Sequence, residues 1–346
     1  MPPHLSPATG TAFARVGLLG NPGDGYEGKA LATLLYDFSA EVDVVPAADF
    51  RIHPNPEDGL QFANLDHALR GFQGGGCEDA LRLLRAALCR FPDLLASGAD
   101  GLASWSDLGA HIRYRTHIPR QVGLSGSSAL IIATLRALAM ALGVKVDPYL
   151  LAEAALAAET EDLGVAAGPM DRIVQAYGGT VLMDLAAPRS ASRIHSVDTR
   201  MLPPLFVAWS STRTKNSGLL HGPLRARWLQ GDPEVTEVVD QLRAVVDDGM
   251  AALSTGDSEA FGRCMERNFE LRGRIFPIHA EDRAMVALAH RHGCAAKLAG
   301  SGGAIVGIVA PEADGASLET AFSAGGFRFL RPLLNPPAGD GTARRP

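Results

Sequence analysis

Cysteine is scarce in this chain. Cys77, Cys89, Cys264 and Cys294 are spread over 346 residues with no C-x-x-C pair and no zinc spacing. That argues against a disulfide framework or a zinc module and points to reduced, structural thiols in a cytoplasmic protein. Positive charge is not in excess either. The 38 Asp and Glu outnumber the 32 Lys and Arg, giving a formal charge of −6 and a pI near 5.9. A general nucleic-acid or membrane-surface binder is not expected from such a balance, and a small anionic ligand would need a local basic site. No uninterrupted apolar stretch approaches the roughly 18 residues of a membrane span, and Met1 to Gly10 shows no basic-then-apolar signal pattern.

What is present is an ordinary globular composition, 47% hydrophobic and 20% charged, in a chain long enough to need two domains. It is organised around His117 to Ala129, a glycine- and serine-rich stretch running into the apolar segment Leu130 to Leu142, which reads as a helix ending at Gly143. Small residues thus sit at a helix start, where outward backbone N–H groups and the helix dipole receive an anion such as phosphate. Serine hydroxyls there can reach phosphate oxygens or Mg2+. The stretch carries neither the G-x-x-x-x-G-K-[ST] nor the G-x-G-x-x-G pattern, so any phosphate is held by another design. The same residues also suit a serine-capped strand-to-helix turn.

Along the chain, Phe13 to Gly20 reads as a buried strand carrying Arg15, followed by the turn-rich Asn21–Lys29 loop with Asp24 and Tyr26, either a site wall or a solvated hairpin loop. Glu41–Val45 and Gly109–His117 alternate as strands, and Ala80–Phe91 has helical spacing with Arg82, Arg85 and Arg90 on a solvated face. A helix over Pro148–Glu161 should end near Gly164. Asp171 then falls at the start of a short helix through Tyr177, a position that also suits a capping residue. Thr180–Asp184 and Leu202–Trp209 read as strands, with a domain boundary near residue 200 between them. Helical patterns cover Val235–Leu253, Ser258–Arg274 and Asp282–His292. A second glycine-serine loop, Gly300–Ser301–Gly302–Gly303, feeds a strand, and residues 335–346 form a proline- and glycine-rich tail expected to be disordered.

The order of the three loops is more specific than any one of them. An Arg-bearing strand with Gly-Asn-Pro, then Pro119-x-x-x-Gly-Leu-Ser-Gly-Ser-Ser-Ala129, then Gly300-Ser-Gly-Gly-Ala304 resembles the galactokinase, homoserine kinase, mevalonate kinase and phosphomevalonate kinase superfamily, over roughly residues 13 to 332. Within it the chain looks most like plant-type glucuronokinases, in Arg15–Pro22, Gln61–Phe62, Leu65–His67, Ile118–Gln121, Asp171–Arg172 and Arg227–Leu229. The stretch Glu159–Gly164 looks more like bacterial heptose kinases of the same superfamily.

That resemblance implies an α+β, two-domain fold. An N-terminal ribosomal-S5-like domain with a left-handed β-α-β unit (11–199) would carry the nucleotide loop, and a ferredoxin-like C-terminal domain would follow (200–334), with the active site in the cleft between them. It implies ATP and Mg2+ as cofactors. Pro119, Gly123, Leu124, Ser125, Gly126, Ser127, Ser128 and Ala129 would cradle the polyphosphate. Ser128 and Glu159 would hold the metal, with Glu161 as the alternative carboxylate. Asp171 would be the general base and Arg15 the cation beside it. Asn21, Asp24, Tyr26, Lys29, Arg120, Gly300, Ser301 and Gly302 would bind the sugar. A uronate carboxylate would fall to one of Arg120, Lys29, Arg213, Lys215 and Arg272, in no fixed order. His67 and His221 read as hydrogen-bonded structural residues. Partners are expected to be a small sugar with no nucleic acid or membrane, in a monomer or homodimer. A heptose, galactose or mevalonate-type acceptor stays open, as does a catalytically silent ATP and sugar sensor.

Overall fold

The computed structural model describes residues 5–53, 80–95, 109–186, 190–210, 218–310 and 315–336. Its contacts divide the chain into two compact units, one of residues 1–13, 38–118 and 126–176, the other of 14–37, 119–125 and 177–346. The strands β1 (Ala8–Leu19) and β2 (Lys29–Pro46) each run through both units.

In the first unit, the second half of β2 alternates buried and half-buried residues and pairs antiparallel with β4 (Ala110–Thr116), Ala40 opposite Thr116 and Pro46 opposite Ala110. A two-residue β3 (Arg51–Ile52) adds parallel to β4. The helices are α1 (Ala80–Leu95), α2 (Gly126–Ala141), α3 (Pro148–Ala157) and α4 (Met170–Tyr177). Helix α2 is apolar nearly all round and correspondingly buried, packed against α1 and α3. Helix α3 starts where Asp147 caps Tyr149 and Leu150 ahead of Pro148. The sequence predicts α3 through Glu161. It ends at Ala157 and passes into a π-helical turn, Ala158–Asp162, a widening that re-aims side chains and favours functional sites.

In the second unit, the first half of β2 is buried on both faces, from Ala30 to Leu35. It pairs antiparallel with β5 (Thr180–Asp184), which pairs with β6 (Ile194–Val197). The alternation over 41–45 reveals only the far half of this strand, because a run buried on two faces has no period to read. A four-stranded antiparallel sheet follows in the order β10 (Phe327–Leu330), β7 (Leu205–Ser210), β9 (Ala304–Ile308), β8 (Ala296–Leu298). The helices of this unit are α5 (Gly218–Leu229), α6 (Pro233–Thr255), α7 (Ser258–Ile275), α8 (Ala280–Arg291) and α9 (Gly315–Ala324). Helix α7 packs on α6 and on β8 and β9, α8 on β7 to β9, and α9 on β10. Asp232 caps α6, Gly256 ends it in the left-handed conformation, and Asp257 caps α7 at once. This fixes the turn that brings one face of α7 to the loops described below.

Candidate active site

The phosphate-loop reading rests on backbone geometry. Gln121, Gly123 and Ser125 have φ of 58°, 78° and 64°, so alternate residues are left-handed, the pattern that turns successive N–H groups into an anion-binding concavity. Gly123 is obligatory there. A Cβ would stand 2.7 Å from the Gly302 carbonyl oxygen. The two glycine loops therefore touch backbone to backbone. Arg15 is set between them, its Nη1 donating to the carbonyls of Gly123 (2.8 Å) and Ala299 (3.2 Å), while its own backbone N–H reaches Leu124 O.

Helix α2 begins directly after this loop. Leu124, Ser125, Ser128 and Ala129 are buried, Pro119 and Gly126 half-buried, and Arg120 and Ser127 exposed. The serine that meets Glu159 is Ser127, whose Oγ donates to Oε1 at 3.0 Å; Ser128 is 0% exposed. The π turn carries Glu159 inward, and its second oxygen takes an ion pair with Arg172. Glu161 points elsewhere, to Arg90 at 2.8 Å, and Arg90 also binds Asp162. Arg90, expected on a solvated face, is thus an ion-paired residue. Among the described residues no three His, Cys, Asp or Glu side chains assemble a metal site. A divalent ion here would draw on a carboxylate and serine hydroxyls together with phosphate and water, hard oxygen donors of the kind Mg2+ accepts.

Asp171 is the second residue of α4, with Arg172 Nη1 at 3.8 Å from its carboxylate and also donating to Gly168 O at 2.7 Å. The far end of α4 is clamped from α2. Arg136 donates to Gln175 O (2.8 Å) and Ala176 O (2.9 Å), satisfying carbonyls that a helix end leaves open, and to Thr11 O of β1 (2.7 Å). The helix that starts at the glycine loop and the helix that carries Asp171 are tied by this one guanidinium.

A second cluster lies wholly in the other unit. Asn268 of α7 fixes the Asn21 loop, accepting from Gly20 N (2.6 Å) and donating to Asn21 O (2.9 Å). Lys297, 1% exposed, donates to Gly17 O, Asn21 Oδ1 and Leu298 O. Burial among neutral acceptors, with Arg272 and Arg15 nearby, holds its ammonium well below the ordinary lysine range. Arg272, one turn after Asn268, is 2% exposed. It donates from Nη2 to Ser301 O (3.2 Å) and lies over the Phe276 ring at 4.8 Å. Burial pulls its pKa down to about 10, against the opposing pull of Asp282, Asp24 and Tyr26. Its Nε has no hydrogen-bond partner among the described residues, a desolvation that costs about 1–3 kcal/mol when nothing fills it. Tyr26 is pushed up to about 12 by burial and by Asp24. Lys29 is bound to Asp247 at 2.8 and 3.0 Å, with Asp184 at 3.9 Å.

The candidates Arg15, Asn21, Asp24, Tyr26 and Arg272 are thus brought into one charged neighbourhood with the Gly300–Gly302 loop, and Ser127 is brought to Glu159. His67, Arg213 and Lys215 lie outside the described residues, as do Gln61–Phe62 and Leu65–Asp66, and so does the side chain of His221. Sequence reasoning missed Arg136, Asn268, Lys297 and the role of Arg172. For Lys297 the signal was a lone lysine in the apolar run Cys294–Leu298. For Asn268 it was a polar residue on the apolar face of α7, in register with the buried Phe261, Met265 and Leu271.

Comparison with known proteins identifies the family and the fold. The chain matches the family described as GHMP kinases N terminal domain over residues 83–179 and that described as GHMP kinases C terminal over residues 250–326. Glucuronokinase 1 of Arabidopsis thaliana is 35% identical over 317 residues, 87% of this chain and 84% of the relative. Probable glucuronokinase 2 of the same plant is 33% identical over 316 residues, with the same coverage. The structure of Lactococcus lactis galactokinase complexed with galactose superposes with a TM-score of 0.73 at 14% identity, covering 94% of this chain and 93% of that one.

Proposed function

The chain belongs to the GHMP kinases and is an ATP-dependent phosphotransferase acting on a sugar, and from that premise we propose that its acceptor is D-glucuronate, phosphorylated at the anomeric hydroxyl to give glucuronate 1-phosphate and ADP. The identity to the plant glucuronokinase over most of both chains supports this acceptor. The observation that carries the chemistry is the 3.0 Å contact of Ser127 with the inward-turned Glu159 at the start of α2. A paired carboxylate and hydroxyl at this helix start supports the reading that this end of α2 serves the polyphosphate and its cation.

In the proposed reaction the anomeric hydroxyl oxygen forms the new bond to the γ-phosphorus as the bond to the β,γ-bridging oxygen breaks and ADP leaves. Asp171 takes the hydroxyl proton, and Arg15 supplies positive charge that favours the ionised forms. Glu159 with Ser127 and Ser128 would hold Mg2+, which neutralises charge developing on the transferred group. The backbone of Pro119–Ala129 cradles the nucleotide, and Asn21, Asp24, Tyr26, Lys29, Arg120 and the Gly300–Gly302 loop are assigned to the sugar side. The division proposed from sequence, 11–199 and 200–334, puts the glycine loop, Glu159 and Asp171 in the first domain and the Gly300 loop in the second. A cytoplasmic location is proposed on composition; among the described residues no helix is long and apolar enough to cross a membrane.

A coupled ADP-release assay across uronic acids, neutral hexoses and heptoses tests the acceptor. Glucuronate should give the highest kcat/KM, and preference for a neutral hexose or a heptose would overturn the assignment.

A further inference from the structure

We propose that Arg272 reads the carboxylate of the acceptor, binding it side-on through Nε–H and Nη–H at the floor of the cluster formed by the Asn21 loop, α7 and the Gly300–Gly302 loop. The inference rests on the glucuronate reading above and names the residue that makes the site select an acid.

The buried and half-buried cations around the Asn21 loop differ in what already binds them. Lys29 is held by two carboxylates, Asp247 and Asp184. Lys297 has three N–H donors and three neutral acceptors, Gly17 O, Asn21 Oδ1 and Leu298 O, so its donor capacity is filled. The Nη1 of Arg15 is committed to Gly123 O and Ala299 O, where it joins the two glycine loops. Arg272 differs. Its planar face is covered by Phe276, and Nη2 donates one of its two N–H groups to Ser301 O. Its Nε edge, buried with the rest of the side chain, has no acceptor among the described residues. A guanidinium locked in its plane with one edge unfilled suits a carboxylate, which can accept two parallel N–H bonds.

The surroundings fit an anion. Arg272, Arg15 and Asp24 all act on Lys297, Asp24 also acts on Arg272, and Asp282 acts on Arg272 while accepting from Gly303 N. Arg272 is buried and water-poor, so a carboxylate that reaches its unfilled N–H would pair with a guanidinium whose competition from water is small. Position fits as well. Asn268 and Arg272 are one turn apart on α7, so the helix that fixes the Asn21 loop also delivers the guanidinium to Ser301. Asn21, Ser301 and the guanidinium assigned to the carboxylate are therefore held by the same helix.

The test compares D-glucuronate with D-glucuronamide, which keeps the ring and loses the charge, in the full-length wild type and in Arg272→Gln and Arg272→Lys. The wild type should prefer the acid by roughly a hundredfold or more in kcat/KM. Arg272→Gln should lose that preference by lowering the acid's kcat/KM about a hundredfold while changing the amide's less than threefold. Arg272→Lys, which keeps the charge without the fork, should fall between the two. An acid-selective wild type whose selectivity survives both substitutions overturns this subsite alone. A wild type that treats acid and amide alike overturns the subsite together with the glucuronate reading. A loss that is equal for acid and amide in both variants marks Arg272 as a structural residue and also overturns the proposal.

Discussion

Glu159 and Arg172 form a buried ion pair, their side chains 2% and 5% exposed, and the same carboxylate accepts from Ser127 at the head of α2. The pair joins the π turn to the helix that carries Asp171. Removing one partner leaves the other charge buried and unpaired, which costs about 3–5 kcal/mol, whereas removing both costs far less. Arg172→Leu should lower stability by that amount in equilibrium denaturation, and Glu159→Leu with Arg172→Leu should recover most of it. Equal stability of the single and double variants would show that the pair is not desolvated.

Arg136 should behave as a positioning residue. It binds the last carbonyls of α4 from the helix that begins at the glycine-serine loop, and a displacement of about 1 Å at a reacting group can cost roughly a hundredfold. Arg136→Gln is expected to lower kcat about ten- to a hundredfold with little change in KM for ATP, and Arg136→Lys to restore part of it. A change confined to the ATP KM would contradict the assignment.

Two glycines separate conformational strain from loop contact. Gly123 has φ 78° and a Cβ there would stand against Gly302 O, while Gly143 has φ 67° with nothing within 4 Å. Both substitutions to alanine should cost about 1–2 kcal/mol for the left-handed backbone. Only Gly123→Ala should also weaken ATP binding, by more than tenfold in a titration with a non-hydrolysable analogue. Similar ATP affinity in the two variants would remove the loop from nucleotide binding.

Lys297 gives a pH signature. Its folded pKa lies well below the ordinary 10.5, so between the two values the unfolded chain binds more protons than the folded one and stability rises with pH. The contribution is complete above about pH 10.5 and is lost as pH falls through the folded value. The stability of the wild type relative to Lys297→Met should therefore increase as pH rises towards about 10.5. A flat difference would mean that the ammonium is not desolvated.

Much of the local structure around the proposed site could be read from sequence where chemistry imposes local pattern. The strand carrying Arg15, the loop before α2, the helix start at Asp171 and the Gly300 loop all stand where residue type and spacing put them. What the sequence hid has physical causes. The run Ala30–Leu35 is buried on both faces and shows no alternation. The π turn that swings Glu159 inward has the composition of the helix it interrupts. Asn268, Arg272 and Lys297 take their meaning from partners some 280 positions or fewer away in the chain, such as Gly17 and Ser301, and no local spacing encodes such contacts. The pairing of Glu159 with Ser127 was likewise invisible, because a one-residue step at a helix start decides which hydroxyl faces the carboxylate.

The most direct test follows the reaction itself. Wild type and Asp171→Asn are incubated with ATP, Mg2+ and D-glucuronate, phosphorus NMR identifies the product, and ATP-analogue binding is measured on both proteins. The wild type should form glucuronate 1-phosphate and ADP in equal amounts. Asp171→Asn should bind the nucleotide normally and turn over about 10²–10⁴-fold more slowly, the usual worth of a general base. Formation of no sugar 1-phosphate by the wild type, or unchanged turnover by the variant, would contradict the account.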